Sequence, residues 1–342
     1  MENKFDPNDI CVPNGNYFAL PYSVEESGLV IISAPWDVTT SYRDGAALAP
    51  DSILDASLQV DLYDYDFGKN YEKGIATHPF DEDLLEMSKK TRLSAEKVIS
   101  RLEMGIAPTE WSIAKALEHT NEASRQMNKA IYDTAKEHLD NGKKVALVGG
   151  DHSTPLGLIK AVAEKHGEMG LLHIDAHADL REAYEGFTYS HASIMYNVLK
   201  EVRGISQLTQ VGIRDFCEEE NDLIQNNKKI TTFFDRAIQN KKFEGATWKE
   251  ICDQIIDTLP QKVYISMDID GLRPYYCLNT GTPVPGGLTY NELVYLLVSI
   301  VKKGKEVVGF DLTEVVGHKP DSIDANIGAR LLYKLSLLTL EK

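Results

Sequence analysis

Cysteine is scarce and its spacing suggests no partnership. The four, Cys11, Cys217, Cys252 and Cys277, lie far apart and form no C-x-x-C pair. Neither a thiolate metal site nor a disulfide framework is expected, and all four read as reduced thiols. No apolar run approaches the ~20 residues that cross a bilayer. The opening Met-Glu-Asn-Lys-Phe-Asp-Pro is too polar for a secretory signal, so a cytoplasmic protein without a membrane partner is expected. Positive charge is in deficit: 36 Lys and Arg face 52 Asp and Glu, a net charge of −16. That balance argues against a nucleic-acid partner and is compatible with a small cationic substrate. Internal repeats and low-complexity tracts are missing too. The glycine-rich stretch Gly281-Thr-Pro-Val-Pro-Gly-Gly287 lacks the Lys-Ser/Thr ending of a phosphate-binding loop, and its two prolines suit a rigid wall.

What is present is an alternation of short β-rich runs with helical patterns, the signature of a parallel sheet covered on both faces. Strands are expected at 29–34, 144–148, 170–174, 208–212, 229–233, 262–267 and 306–310. Helices are expected at 155–165, 192–202, 248–258, 289–302 and 326–338. A single large α/β domain is preferred, spanning 29–342 after an N-terminal extension at 1–28. Between the first two strands, a helical insertion at about 71–141 carries patterns at 81–101 and 111–139, the second stopped by Asp140-Asn141-Gly142. This insertion reads as a layer packed on the sheet or as a lid and oligomer contact.

Three motifs carry chemistry, each directly after a β-rich run: Gly-Gly-Asp151-His152, Asp175-Ala-His177-Ala-Asp179 and Asp268-Ile-Asp270. Alternate residues of an extended segment point the same way, so Asp175, His177 and Asp179 share one direction, as do Asp268 and Asp270. In open parallel sheets ligands bind beyond the carboxyl ends of the strands; a fourth such end, after Val307-Val-Gly-Phe310, leads to Glu314. One Asp after a strand is ordinarily a turn or capping residue. Five carboxylates and two imidazoles at aligned strand ends read instead as a two-metal site, because so many like charges are tolerable chiefly with cations between them. Oxygen-rich ligation favours a hard divalent ion such as Mn²⁺. His173, one step deeper in its strand, reads as a packed histidine, and Asp151 as an orienting partner of His152. His191 reads as a proton shuttle or, alternatively, as a surface histidine at a helix start. His78, His119, His138, His166 and His318 read as surface or structural.

The motifs Gly149-Gly-Asp-His-Ser153, Asp175-Ala-His-Ala-Asp179 and Ser266-Met-Asp-Ile-Asp270 resemble those of the ureohydrolase family of arginase, agmatinase and formiminoglutamase. The resemblance implies a three-layer α/β/α fold with a central, mainly parallel sheet, a homotrimer or homohexamer, and two Mn²⁺ ions. It implies that His152 and Asp179 bind one ion and His177 and Asp270 the other, with Asp175 and Asp268 bridging. Asp179 would orient the nucleophile, His191 would shuttle protons to the leaving amine, and Glu314 would hold the substrate guanidinium. The loop 179–191 is similar to the agmatinase pattern, and Glu182 and Glu185 suit a substrate whose distal end is cationic or small, agmatine above all. Two features depart from the pattern: Arg273-Pro274 adds a positive charge after the third motif, and the wall loop from Tyr275 differs. With Trp36-Asp-Val-Thr-Thr-Ser-Tyr42, that loop resembles a subgroup including Ni²⁺-dependent guanidine hydrolases, in which Thr39 or Thr40 would meet a small guanidinium. An arginase or guanidino-acid hydrolase, a hydrolase of another C–N bond, and a non-catalytic relative complete the alternatives.

Overall fold

The computed structural model describes residues 5–317 and 322–341; His318 lies outside them. Eight strands form one sheet: β1 (Leu29–Ser33), β2 (Ile75–Thr77), β3 (Lys144–Val148), β4 (Met169–Ile174), β5 (Ile205–Val211), β6 (Ile230–Phe233), β7 (Lys262–Asp268) and β8 (Glu306–Thr313). Their order is β2-β1-β3-β8-β7-β4-β5-β6, and every adjacent pair runs parallel. The four strands that lead to the acidic motifs and to Glu314 are therefore the four central neighbours, β3-β8-β7-β4.

The pleat separates the interior into two cores. Ala146 and Val148 face one side and Val145 and Leu147 the other, all fully buried. The first core is closed by α1 (Ala49–Ser57), α7 (Asp235–Phe243), α8 (Trp248–Asp257), α9 (Tyr290–Lys302) and α10 (Ile323–Thr339). The second lies under α2 (Glu82–Glu103), α3 (Trp111–Asp140), α4 (Leu156–His166), α5 (Ile194–Glu201) and α6 (Glu218–Asn226). Three layers result. Local chemistry sets the helix ends: Thr247 with Glu250, and Thr289 with Glu292, form capping boxes on α8 and α9. No helix among the described residues is long and apolar enough to cross a membrane.

Several short elements differ from the sequence expectation. The segment 71–141 holds α2 and α3, but it also supplies β2, the edge strand beside β1. Within 1–28, Tyr17, Phe18 and Leu20 are buried in the first core, and the Phe18 ring lies 4.8 Å from that of Tyr333. Helices α1, α6 and α7, of nine residues each, are too short to show a firm 3.6-residue period. Strands β7 and β8 run further than expected because Asp268 and Asp311–Thr313 continue the ladder between them.

The second core demands one glycine by contact. A Cβ on Gly157 in α4 would sit 2.2 Å from the Asn128 carbonyl oxygen in α3, so the two helices cross at backbone distance. Gly157→Ala is expected to destabilise the fold by about 1–3 kcal/mol, the usual cost of overpacking; an unchanged midpoint in chemical denaturation would contradict this packing.

Candidate metal centre

The site begins where β3 ends. Gly150 passes beneath the 35–41 loop so closely that a Cβ there would lie 1.8 Å from the Trp36 carbonyl oxygen, and the Asp151 amide donates to that oxygen at 2.8 Å. This approach turns the chain and points His152 into the space beyond the sheet. Its Nδ1 stands 3.0 Å from Asp175 Oδ2, 3.2 Å from Asp179 Oδ2 and 3.5 Å from Asp268 Oδ2. On the other side, His177 Nδ1 lies 3.2 Å from Asp270 Oδ2 and 3.4 Å from Asp175 Oδ1. Asp175 thus offers one oxygen to each cluster. The potential ligand atoms of Asp175, His177 and Asp270 lie within 4.8 Å of one another, as do those of His152, His173, Asp175 and Asp179.

The backbone is bent to achieve this. Asp179 and Glu314 have φ of 54° and 59°, left-handed values that cost a residue with a Cβ and recur at functional sites. At Glu314 the turn is fixed by its own amide donating to the Gly150 carbonyl at 2.9 Å, while its Oε1 accepts the His152 amide at 2.9 Å. The carboxylate is therefore locked to the residue that faces the acids.

Electrostatics show what the cluster lacks. Burial, then Asp175, lifts Asp179 to about 7; burial, then Asp270 and Asp175, drives Asp268 well above the carboxylate range. Burial also opposes ionisation of Asp175, but His173 and the hydrogen bonds from His152 and His177 overcome it and hold this acid well below its usual range. For His177 burial favours the neutral ring, yet Asp270 and Asp175 push it up to about 12. So many buried acids cannot all ionise without added positive charge. Carboxylate oxygens and imidazole nitrogens converging in two groups fit divalent cations, which would supply it.

The histidines are held from outside the cluster. His152 Nε2 lies 2.9 Å from Ser266 Oγ, which donates to Asp311 Oδ1 at 3.0 Å. Sequence reasoning missed both Ser266 and Asp311 in this role; their parity in β7 and β8 was the available signal. Asp151, expected to orient His152, instead accepts from Ser153 N and Oγ at 2.9 and 2.5 Å. Asp151 and His152 both lie in the turn beyond β3, where the Asp151 carboxylate faces Ser153 and Thr39 and the His152 ring faces the acids. His173 is buried behind the cluster, with Nε2 2.8 Å from Asp175 Oδ2 and Nδ1 3.0 Å from Gln210 Nε2.

A cavity of about 420 Å³ opens over these groups, with His152, His177, Asp179, Asp268, His191 and Glu314 in its lining. His191 begins a short 3-10 turn capped by Ser190, and its Nδ1 lies 3.4 Å from Thr39 Oγ1. Burial, then His177 and His152, lowers it to about 4. The walls include Tyr42, Arg43, Arg181, Tyr184, Asp215 and Val284.

The expected tail-binding residues lie elsewhere. Glu182 is largely exposed, 3.7 Å from Lys200. Glu185 sits at the tip of a tight turn in which Tyr184 and Phe187 exchange backbone hydrogen bonds. Positive φ at both central residues, Glu185 and Gly186, marks it as type I′. The turn delivers Tyr184 to the cavity wall and leaves Glu185 outside the lining. Thr40 Oγ1 donates to the Asp37 carbonyl at 2.9 Å, and Thr39 faces His191 and Asp151; neither lines the cavity. Arg273 Nε donates to the Gly287 carbonyl at 3.3 Å, so the positive charge at the walls comes from Arg43 and Arg181.

Parallel sheet, buried acids and cavity together define a class, an α/β protein whose site could hold divalent cations at the carboxyl edge of its sheet. The chain belongs to the arginase family, whose family model matches residues 27–337. An N(1)-aminopropylagmatine ureohydrolase of Thermus thermophilus is 33% identical over 297 residues, covering 86% of this chain and 84% of that one. An agmatinase of Bacillus anthracis is 28% identical over 321 residues, covering 92% and 93%. In three dimensions the agmatine ureohydrolase of Thermoplasma volcanium matches with a TM-score of 0.70 at 22% identity, over 96% of this chain and 95% of that one, a likeness of fold.

The charge deficit gives a direct prediction. Protein stripped with a chelator is expected to unfold at a higher temperature once Mn²⁺ is added, since a ligand at 100 times its Kd stabilises by about 2.7 kcal/mol. Asp175→Ala is expected to abolish that shift, and an equal shift in the variant would place the cation elsewhere.

Proposed function

We propose that this protein hydrolyses the guanidino C–N bond of a small guanidino compound to urea and an amine, with agmatine as the preferred substrate. The observation that carries this reading is the position of Glu314, a buried carboxylate facing the cavity and fixed to His152. Burial, then Asp151, holds Glu314 well above its usual range, so a guanidinium entering the cavity would supply the opposite charge that restores its ionised form. A guanidinium presents paired N–H donors to a carboxylate, a strong charge-assisted contact.

In this reading His152 and Asp179 would hold one ion and His177 and Asp270 the other, with Asp175 and Asp268 as further ligands. Mn²⁺ is proposed because the donors are mainly oxygen. Bound there, divalent cations would supply Lewis acidity and ease deprotonation of a water. Asp179 then orients that water toward the guanidino carbon held by Glu314. Water adds its oxygen to this carbon, the bond to the substituted nitrogen breaks, and urea remains. The departing nitrogen needs a proton to leave as an amine. His191, held in its neutral form chiefly by burial, can accept a proton on one side of the reaction and release it to that nitrogen.

Glu182 and Glu185 lie outside the cavity lining, and agmatine is favoured by other features. A cavity of about 420 Å³ falls within the range of roughly 300–1,000 Å³ for small-molecule sites and leaves space for a tail beyond the guanidinium. Asp215 lines the wall, and its carboxylate suits a cationic tail. The names of the relatives, an aminopropylagmatine ureohydrolase and an agmatinase, point the same way.

The test is urea release from equal concentrations of agmatine, arginine, guanidine and 4-guanidinobutyrate after loading with Mn²⁺ or Ni²⁺. Agmatine preference is expected; faster turnover of free guanidine, above all with Ni²⁺, would overturn the substrate assignment. His191→Ala is expected to retain metal while slowing turnover by about 10²- to 10⁴-fold, the usual contribution of a positioned acid–base group. Wild-type turnover in that variant would remove the shuttle role.

A further inference from the structure

We propose that Arg92, on the outer helix α2 and away from the cavity, is a positioning residue that sets His191 in place through the 37–40 loop. The proposal rests on the shuttle role given to His191 above.

The Arg92 guanidinium is largely withdrawn from solvent, its side chain 19% exposed. Its Nη1 donates to the carbonyl oxygens of Val38 at 3.0 Å and Thr40 at 2.5 Å, and to Thr40 Oγ1 at 3.1 Å. Nε donates to Glu96 Oε1 at 3.1 Å, which ties the other edge of the fork to its own helix. The two carbonyls flank Thr39, so one nitrogen fixes the backbone on both sides of that residue. Thr39 is fully buried. Its Oγ1 accepts the His191 amide at 3.4 Å and lies 3.4 Å from His191 Nδ1. A continuous path therefore runs from α2 to the ring that faces the cavity.

Two features make this more than general packing. The part of the loop that lines the cavity, Ser41, Tyr42 and Arg43, has a second tie at its far end, where Asp37 Oδ2 accepts the amides of Gly45 at 2.7 Å and Ala47 at 3.2 Å, while Arg92 Nη1 reaches the Asp37 carbonyl at 3.4 Å. Loss of Arg92 removes the ties on both sides of Thr39 while the Asp37 side chain still holds Gly45 and Ala47, so Thr39 and His191 should be disturbed more than Tyr42 and Arg43. The donor geometry is also specific to arginine, since a lysine ammonium lacks the planar fork that joins Glu96 to the loop.

The experiment compares Arg92→Met, Arg92→Lys, His191→Ala and the double variant R92M/H191A in the full-length, Mn²⁺-loaded protein. It measures kcat and KM on whichever guanidino compound is turned over fastest, together with metal content and melting temperature. Arg92→Met is expected to lower kcat about tenfold, less than the ~10²-fold that an ångström of misplacement can cost. KM should stay within about twofold with metal content unchanged, as expected when transition-state stabilisation alone is lost. In the double variant the Arg92 effect should vanish, because a residue acting through His191 cannot act once that ring is gone. Arg92→Lys is expected to resemble Arg92→Met, and R92K/H191A completes the same cycle if Arg92→Met does not fold. Wild-type kcat in both Arg92 variants, or an Arg92 effect that persists undiminished in the His191→Ala background, would overturn the proposal. A His191→Ala protein with wild-type kcat would instead overturn the shuttle reading on which it rests.

Discussion

Mutual repulsion among buried carboxylates is the constraint around which this molecule is arranged. Ligand atoms of Asp175 and Asp179 lie within 4.8 Å of each other, and two full charges at that distance repel by roughly 3 kcal/mol even at an effective dielectric of 20. Asp268 and Asp270 add to the same cluster, and burial first, then the neighbouring carboxylates, displaces Asp179 and Asp268 upward. A fold cannot retain such a cluster by packing alone. The central strands β3-β8-β7-β4 bring the acids together, and the left-handed residues Asp179 and Glu314 turn two of the carboxylates inward. Divalent cations would turn this repulsion into ligation.

The surrounding polar contacts follow from the same need. A donor must be aimed as well as present, and each imidazole offers only two nitrogens. His152 directs Nδ1 to the acids because Nε2 is occupied by Ser266, itself held by Asp311. His173 and Gln210 support Asp175 from behind. Orientation of this kind is what partners of metal-binding side chains provide. The main chain contributes too: the His152 amide fixes Glu314, coupling the donor cluster to the group proposed to hold the guanidinium.

Much of this was legible in the sequence because two periods coincide. The run 145–148, followed by two glycines and then His152, and the alternation Asp175, His177 place those side chains at the carboxyl edge of the sheet, whereas Asp179 also needs its left-handed turn. Parallel pairing and two helical layers followed from the alternation of short apolar runs with longer amphipathic ones. Less legible was whatever depended on turns and distant partners. By their charge and their place in the agmatinase-like loop 179–191, Glu182 and Glu185 suit a cationic tail, but Glu182 is exposed beside Lys200 and the type I′ turn at 184–187 leaves Glu185 outside the cavity lining. Ser266 and Asp311 each look like an ordinary strand residue until β7 and β8 are paired. β2 is three residues long and earns its place only by pairing with β1. Arg92, on an exposed-looking helix, shows its reach only through the loop carbonyls it binds.

The central claim is that two cations share Asp175. A crystal of the Mn²⁺-loaded protein, with anomalous diffraction recorded above and below the manganese edge, tests it most directly. Two peaks are predicted, one beside His152 and Asp179 and one beside His177 and Asp270, each contacted by a different oxygen of Asp175. A single peak, or peaks away from these residues, would contradict the account.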